Sequence, residues 1–335
     1  MTFRPLTHRA FQWFADTLSV PPVIAGILCS LGFGGIALWI TVVIGTVADV
    51  AAGILPSIAV RAPVTLYMMV GYLPMASYYL FVWTTDHQAT IVRRFALQSS
   101  PIVFPRLTAN WIGALGIVVM YFSFLHEPEN PFLIFAPWRW PVQFAFPLVG
   151  LVIMGWFNFR FTYLLIWASL AISRTARQID HFNLLDISLV KPYAQQGVRA
   201  SLLAVVSLSI SANLWLDPGS PSAGTAISVV TLAVAAAMAL FLPTWGIHQR
   251  LKTLKQAELK QVRVAIESRR NPASRSVDDA QHLRADLALE RRLDEVSEWP
   301  FDAGSYGRVA LYIMLGLGSW VGAALVERLL ESLSP

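Results

Sequence analysis

The sequence predicts an all-α membrane protein with about seven transmembrane helices. Of the 335 residues, 56% are hydrophobic and only 13% are charged, whereas charged residues supply about a quarter of a typical soluble domain. The apolar residues come in runs of roughly 20, the length that a helix needs to cross about 30 Å of hydrocarbon. Lysines and arginines gather on one side of these runs, as they do in multi-pass proteins.

Seven apolar runs have a recognisable start and end. Pro21 and Pro22 precede the first run, Pro63 opens the second, and LDPGSPSAG (216–224) makes a tight turn before the sixth. We expect no removable signal peptide, because the first run begins only after about 20 residues and is too long for a signal core. The predicted spans cover residues 22–46, 63–84, 110–126, 144–166, 200–216, 224–246 and 307–327.

The distribution of positive charge predicts the orientation. Of the 25 lysines and arginines, 21 fall on one side of the predicted spans, which places the amino terminus in the cytoplasm and the carboxyl terminus outside. The net charge of +5 then faces anionic headgroups, and no nucleic-acid partner is needed to explain it. We expect a bacterial inner-membrane protein. Its only cysteine, Cys29, lies in the first span, so no internal disulfide or cysteine metal cluster is expected.

A charged insertion separates the sixth and seventh spans. Residues 248–298 hold 11 Lys/Arg and 9 Asp/Glu. Residues 248–270 lack Gly and Pro, and Ile247, Leu251 and Leu254 recur at helical spacing. Pro272 breaks this helix, and Ser276 with Asp279 resembles a capping box that opens a second one. We therefore predict a cytoplasmic helical hairpin of coiled-coil type, and three regions: a six-span domain (1–246), the hairpin (247–299) and a final span (300–335).

Arg160 lies in the apolar segment WFNFRFTY (156–163). The surrounding run, residues 144–172, would be about 43 Å long as a helix, more than the hydrocarbon thickness. Counting inward from Phe144 ends the span near Tyr163, with Tyr163 and Trp167 as an aromatic belt and Arg160 one turn inside. A register that starts near Met154 would place Arg160 deeper, at a cost of at least ~2.5–3.5 kcal/mol. We therefore predict that Arg160, Tyr163 and Trp167 anchor the membrane interface.

The same register leaves residues 164–172 apolar outside the bilayer. Apolar helix needs cover in water, and the nearest cover is the hairpin together with residues 184–197. We expect a cytoplasmic bundle built from extensions of the fourth, fifth and sixth spans. Truncation within 248–298 should then cause aggregation or degradation.

Small residues and a proline mark further positions. Gly26, Ser30 and Gly34 form a small-xxx-small pattern in the first span, which permits close helix packing. Pro74 is a candidate hinge in the second span. In the last span, the residues that we predict to line a pore or a packing seam are Gly316, Gly318, Ser319 and Gly322.

No motif points to catalysis or to a cofactor. The pairs Asp86-His87 and Asp180-His181 could be imagined as metal ligands, but adjacent residues on a helix point apart and no spaced ligand set accompanies them. No nucleotide-binding or hydrolase motif is present in its required context. We therefore predict neither an enzyme nor a bound cofactor or metal.

Two functions fit this organisation. The first is a homo-oligomeric, channel-like protein whose last span lines a pore for ions or a small solute. The second is a non-conducting scaffold or sensor whose cytoplasmic bundle binds a protein partner. The topology resembles that of insect chemoreceptor channels, in which the last helices line a tetrameric pore and cytoplasmic extensions hold the subunits together. Their final-span signature has no full match in VALYIMLGLGSWVG (309–322), where only Tyr312 corresponds, so no functional residue is carried over.

Overall fold

A computed structural model describes residues 17, 22–52, 61–95, 104–125, 142–179, 191–211, 223–269, 277–296 and 307. Over these residues the chain is helical and contains no strand, which confirms the all-α class. The described helices are α1 (Pro22–Ala52), α2 (Arg61–Arg94), α3 (Arg106–Leu125), α4 (Val142–Arg177), α5 (Lys191–Ser211), α6 (Ala223–Arg269) and α7 (Val277–Glu295). The predicted seventh span lies outside the described residues except for Gly307.

Three described helices are long and apolar enough to cross a membrane; their segments Gly26–Val43, Val149–Arg177 and Val230–Arg269 each contain an apolar stretch of sufficient length. A fourth stretch, Arg106–Phe122, is apolar but shorter. Protein buries only 22% of the Gly26–Val43 stretch, and Trp39 in α1 is 68% exposed. Because soluble monomers rarely leave such large apolar surfaces uncovered, these helices indicate a membrane protein.

Glycines set the closest approaches between helices. A Cβ atom on Gly71 would lie 2.8 Å from the carbonyl oxygen of Cys29, so a side chain there would separate α2 from α1. A Cβ on Gly155 would lie 2.8 Å from the carbonyl oxygen of Gly116, which faces it from α3. Gly246 of α6 similarly abuts the backbone of Ser173 in α4. Small residues of this kind let helices pack in lipid, where no hydrophobic force draws them together.

The small-residue pattern of the first span packs within the chain. Gly26 and Gly34 lie against Met75 and Met68 of α2. The hydroxyl of Ser30 donates a 3.0 Å hydrogen bond to the carbonyl oxygen of Met68. This face of α1 therefore packs onto α2.

The buried apolar residues form two clusters. The central core joins α2, α3, α4, α5 and α6, with Met69, Leu73, Met120, Phe161 and Leu165 fully buried. A second cluster, which we call the end cluster, lies at one end of the bundle. It consists of Ile91, Ile172, Ala176, Ile179, Tyr193, Ile247, Leu251, Leu259 and Leu293.

α6 extends from the bundle as one uninterrupted helix of 47 residues and pairs with α7. The Nζ of Lys255 donates 2.9 Å hydrogen bonds to the carbonyl oxygens of Asp294 and Val296 at the carboxyl end of α7. Such carbonyls have no partner within their own helix, so a cation there caps the helix. Ion pairs Arg263–Glu290 and Arg269–Asp286 continue the contact along the hairpin.

Candidate functional site at the charged end of the bundle

The end cluster joins residues of five helices. Its members come from the last turns of α2 and α4, the first turn of α5 and the middle of α6, and Leu293 of α7 joins them. Residues 164–172, which we predicted to leave the membrane while still apolar, end in this cluster. Ile172 is one of its members and is fully buried. α6 and the beginning of α5 provide part of its cover, as expected, and the end of α2 adds Ile91. Arg250 ties α6 to α4, because its Nε donates a 2.7 Å hydrogen bond to the carbonyl oxygen of Ile179.

Beside the end cluster, α2 and α5 meet through buried polar side chains. The hydroxyl of Thr84 donates to the carbonyl oxygen of Leu80 at 2.7 Å. Its only proton is used there, so it accepts the 2.8 Å hydrogen bond from Nε2 of Gln196. This fixes the orientation of the Gln196 amide and leaves its Oε1 on the other side. Thr84 and Gln196 are both buried.

Next to Thr84 on α2, Trp83 contacts α5, and so does His87 about one turn further along. The Nε2 of His87 lies 3.0 Å from the carbonyl oxygen of Pro192. A carbonyl only accepts, so Nε2 carries the proton and Nδ1 is left as an acceptor. The His87 ring stacks on Trp83 at 5.3 Å between centroids. The guanidinium carbon of Arg199 lies 3.2 Å from the Trp83 ring centroid, an arrangement that attracts the cation to the aromatic face.

The polar contacts continue toward the central core. The hydroxyl of Tyr72 donates a 2.9 Å hydrogen bond to the carbonyl oxygen of Leu203. The α5 partners Pro192, Gln196, Arg199 and Leu203 recur at intervals of four, three and four residues, so they lie on one face of the helix. In the described residues the indole N–H of Trp83, the hydroxyl of Tyr193 and Oε1 of Gln196 are buried without a hydrogen-bond partner. The α2–α5 interface is therefore held by polar contacts and carries a desolvation cost of roughly 1–3 kcal/mol for each such group.

The environment of His87 favours its neutral form. Burial lowers the pKa of His87, the positive charge of Arg199 lowers it further, and the hydrogen bond to Pro192 opposes them. Burial is the largest of these causes. His87 lies beyond the predicted end of the second span, on the side of the end cluster.

The predicted interface anchors are placed on one side of α4. The aliphatic part of Arg160 packs against Gly113 of α3, and its guanidinium carbon lies 5.1 Å from the centroid of Trp156. Trp167 makes an edge contact with Phe104 at 5.0 Å and stacks with Phe81 at 6.2 Å. Tyr163 also contacts Phe104 at 6.0 Å. The two belt residues thus share an aromatic cluster, while their role as membrane anchors stays a prediction.

Other predicted site residues are more dispersed. Pro74 is buried inside α2, which continues through it from Arg61 to Arg94; its role as a hinge stays a prediction. The pore or seam residues Gly316, Gly318, Ser319 and Gly322 lie outside the described residues, as do Asp180 and His181. In the described parts of the chain, no three of the His, Cys, Asp and Glu side chains come together in a way that could hold a metal ion.

Sequence reasoning missed the polar contacts between α2 and α5. It began the fifth span at residue 200 and gave residues 184–197 only as cover for the apolar run, whereas the helix that carries Gln196 begins at Lys191. Pro192 was the available signal, because proline is favoured in the first turn of a helix. Extending the helix back to it would have placed Gln196 and Arg199 on one face.

Comparisons with known proteins give no relative of this chain. No protein-family model, no curated protein and no solved structure matches it.

Proposed function

We propose that this chain is a multi-pass inner-membrane scaffold or sensor that presents a helical hairpin to a protein partner in the cytoplasm. The observation that carries the proposal is the continuity of α6. A single helix, Ala223–Arg269, contains both an apolar stretch suited to the membrane and the charged arm that pairs with α7. The hairpin is therefore joined to the membrane bundle by continuous helix, with no loop between them.

The orientation proposed from the sequence is supported by where the basic residues lie. Arg93 and Arg94 end α2, Arg174 and Arg177 lie in the last turn of α4, and all four are exposed. These helix ends meet at the end cluster, from which the charged arm of α6 extends. One end of the bundle thus collects positive charge, as the cytoplasmic side of an inner-membrane protein does. On this basis the amino terminus is inside and the seven-span arrangement places the carboxyl terminus outside.

The hairpin has a surface that its own packing does not use. Leu293 is buried in the end cluster, but Leu287 and Leu289 of α7 are 47% and 38% exposed. Val264 of α6 is 57% exposed. These exposed aliphatic side chains are the positions of the hairpin that a partner could cover.

Site-specific photocrosslinking in living cells tests the proposal. A photoreactive amino acid at position 287 should give one discrete adduct with a second protein, and Leu289→Asp should weaken that adduct. The same photoreactive residue in place of Gln281, an exposed polar position of α7, serves as the control. Absence of any adduct at position 287, in cells that hold the protein correctly folded in the membrane, would contradict the scaffold function.

A homo-oligomeric channel is the second proposal, and the packing restricts where its pore could be. In the described helices, hydroxyl groups such as those of Ser169, Thr175 and Ser207 donate to carbonyl oxygens of their own helix. Glycines bring neighbouring helices into backbone contact. A conduction path would therefore run along a seam between copies, with the Gly316–Gly322 stretch as its lining.

Mass and flux measurements separate the two functions. A channel requires an oligomer in nanodiscs and passage of ions or a small solute through liposomes that contain the purified protein. Gly318→Leu should alter this flux, with Gly32→Leu in the exposed part of α1 as the control. A monomer, or an oligomer without flux, would favour the scaffold.

A further inference from the structure

One face of α4 carries aromatic and aliphatic side chains followed by arginines. Tyr163, Trp167, Leu170, Arg174 and Arg177 recur at intervals of four, three, four and three residues, which places them on one side of the helix. The first three side chains are half-buried and the two arginines are exposed. We call these five residues the α4 face.

Packing fixes the aromatic part of the α4 face. Phe104, just before α3, contacts both Tyr163 and Trp167, and Phe81 of α2 stacks on Trp167. These contacts come from two other parts of the chain, so the rings have little freedom to move. A preformed aromatic surface loses little entropy when it binds a ligand.

The arginine part of the α4 face has no acidic partner in the described structure. Within the described residues of α2, α3, α4 and α5, Asp86 is the only carboxylate, and it lies exposed on α2. The carboxylates of α7 that form ion pairs, Glu290 and Asp286, do so with Arg263 and Arg269 of α6. The two exposed arginines at this end of α4 are therefore placed to hold an anion from outside the described chain.

The spacing along α4 matches the layers of a bilayer leaflet. From Trp167 to Arg174 is about 10 Å of helix, and the headgroup layer on each side of the hydrocarbon is roughly 5–8 Å thick. If the membrane boundary lies at Trp167, the side chain of Arg174, which leans toward the amino end of the helix, reaches back into the headgroup layer, and Arg177 lies one turn further out, at the edge of that layer. The depth assigned to the arginines rests on the predicted aromatic belt at Tyr163 and Trp167 and on the orientation in the proposed function.

We propose that the α4 face binds an anionic phospholipid at a defined site. Arg174 and Arg177 hold the headgroup phosphate by charge-assisted hydrogen bonds, while Tyr163 and Trp167 pack against the glycerol and the first acyl carbons. Basic sites between transmembrane helices bind anionic headgroups in this way.

Native mass spectrometry of the full-length protein tests this site, with phosphatidylglycerol and phosphatidylcholine as the probes. Wild type should retain phosphatidylglycerol in preference to phosphatidylcholine. The double substitution Arg174→Gln and Arg177→Gln should weaken phosphatidylglycerol binding by roughly 30-fold, since each arginine near an anionic surface contributes about fivefold. The matched control is Arg93→Gln with Arg94→Gln, which removes the same charge from the end of α2, and it should retain the preference.

Three results would overturn the inference. Equal losses in the two double variants would show only a general attraction of the basic end to anionic lipid. Unchanged binding in the α4 variant would show that its arginines do not hold the lipid. Thermal stabilisation by inorganic phosphate as large as that by phosphatidylglycerol would indicate a site for a free anion. None of these outcomes depends on the hairpin partner, so failure here leaves the scaffold proposal to be judged by its own crosslinking experiment.

Discussion

At the scale of single residues, the bundle depends on positions where a side chain would not fit and on polar atoms with only one available partner. Gly246 belongs to the first group, because it contacts the backbone of Ser173 directly. Thr84 belongs to the second, because its proton is committed to Leu80 and it can only accept from Gln196. Such positions determine how close two helices approach and which faces meet.

Gly246→Ala is expected to destabilise the protein by about 1–3 kcal/mol, because the added methyl group must push α6 away from α4. Gly32 provides a matched control: a Cβ there would meet nothing within 4 Å. Gly32→Ala should be neutral or slightly stabilising, since alanine favours helix more than glycine does. Thermal unfolding in detergent measures both. Similar melting temperatures for the two variants would contradict the close α4–α6 contact.

His87 should make stability depend on pH. Its pKa is lowered in the folded protein, so the unfolded chain binds a proton first as the pH falls below the ordinary histidine value of about 6.5. The contribution is therefore complete above that value and is lost as the pH falls through the lower, folded pKa. His87→Gln should flatten the fall in melting temperature between pH 7 and pH 5. His282→Gln, on the exposed surface of α7, should leave the curve unchanged.

At the scale of elements, the sequence located helices well and their ends less well. The first predicted span, 22–46, lies within α1 (Pro22–Ala52), because an unbroken apolar run leaves few alternatives. Sequence reasoning also expected the sixth span to extend into the hairpin, and α6 does so through Pro243. It expected the fifth span to extend as well but could not give the first residue of α5, since a polar first turn resembles a loop until its partners on α2 are known.

Contacts between elements were predictable only where apolar residues made them. The excess length of the fourth apolar run implied that something must cover Ile172, and α6 lies there. The cation–aromatic contact between Arg199 and Trp83 had no such signal, because it depends on the rotation of two helices relative to each other. Hydrophobic periodicity gives the buried face of a helix and does not give the pairing of polar side chains within it.

Leu293→Ala should release α7 from the bundle. Leu293 is the member of the end cluster that α7 contributes, and it is 1% exposed. Removing a buried leucine side chain costs about 2–5 kcal/mol, which exceeds what the exposed ion pair Arg263–Glu290 supplies. Hydrogen exchange across residues 277–295 should accelerate strongly. Leu287→Ala, at a half-exposed position of the same helix, should change exchange little; equal acceleration in both would argue against the docking role of Leu293.

At the scale of the whole molecule, the basic helix ends at the end cluster predict which end of the bundle faces the cytoplasm. Single introduced cysteines can test this orientation. Cys29 is the only cysteine, so Cys29→Ser gives a background for single introduced cysteines. In that background, Ser268→Cys in the exposed part of α6 should react with a membrane-impermeant maleimide only after the cells are opened. Asn130→Cys, in the predicted outer loop, should react in intact cells. The reverse pattern would invert the proposed topology.

The straight run of α6 also gives the molecule a lever. From Pro243, buried at the base of the arm, to Arg269 is about 39 Å of helix. A change in direction of about 10° at such a proline, small compared with the kinks that proline causes in helices, would displace the far end of the arm by about 7 Å. Small rearrangements among the membrane helices would thus be enlarged, at the tip of the hairpin, to movements as large as a side chain.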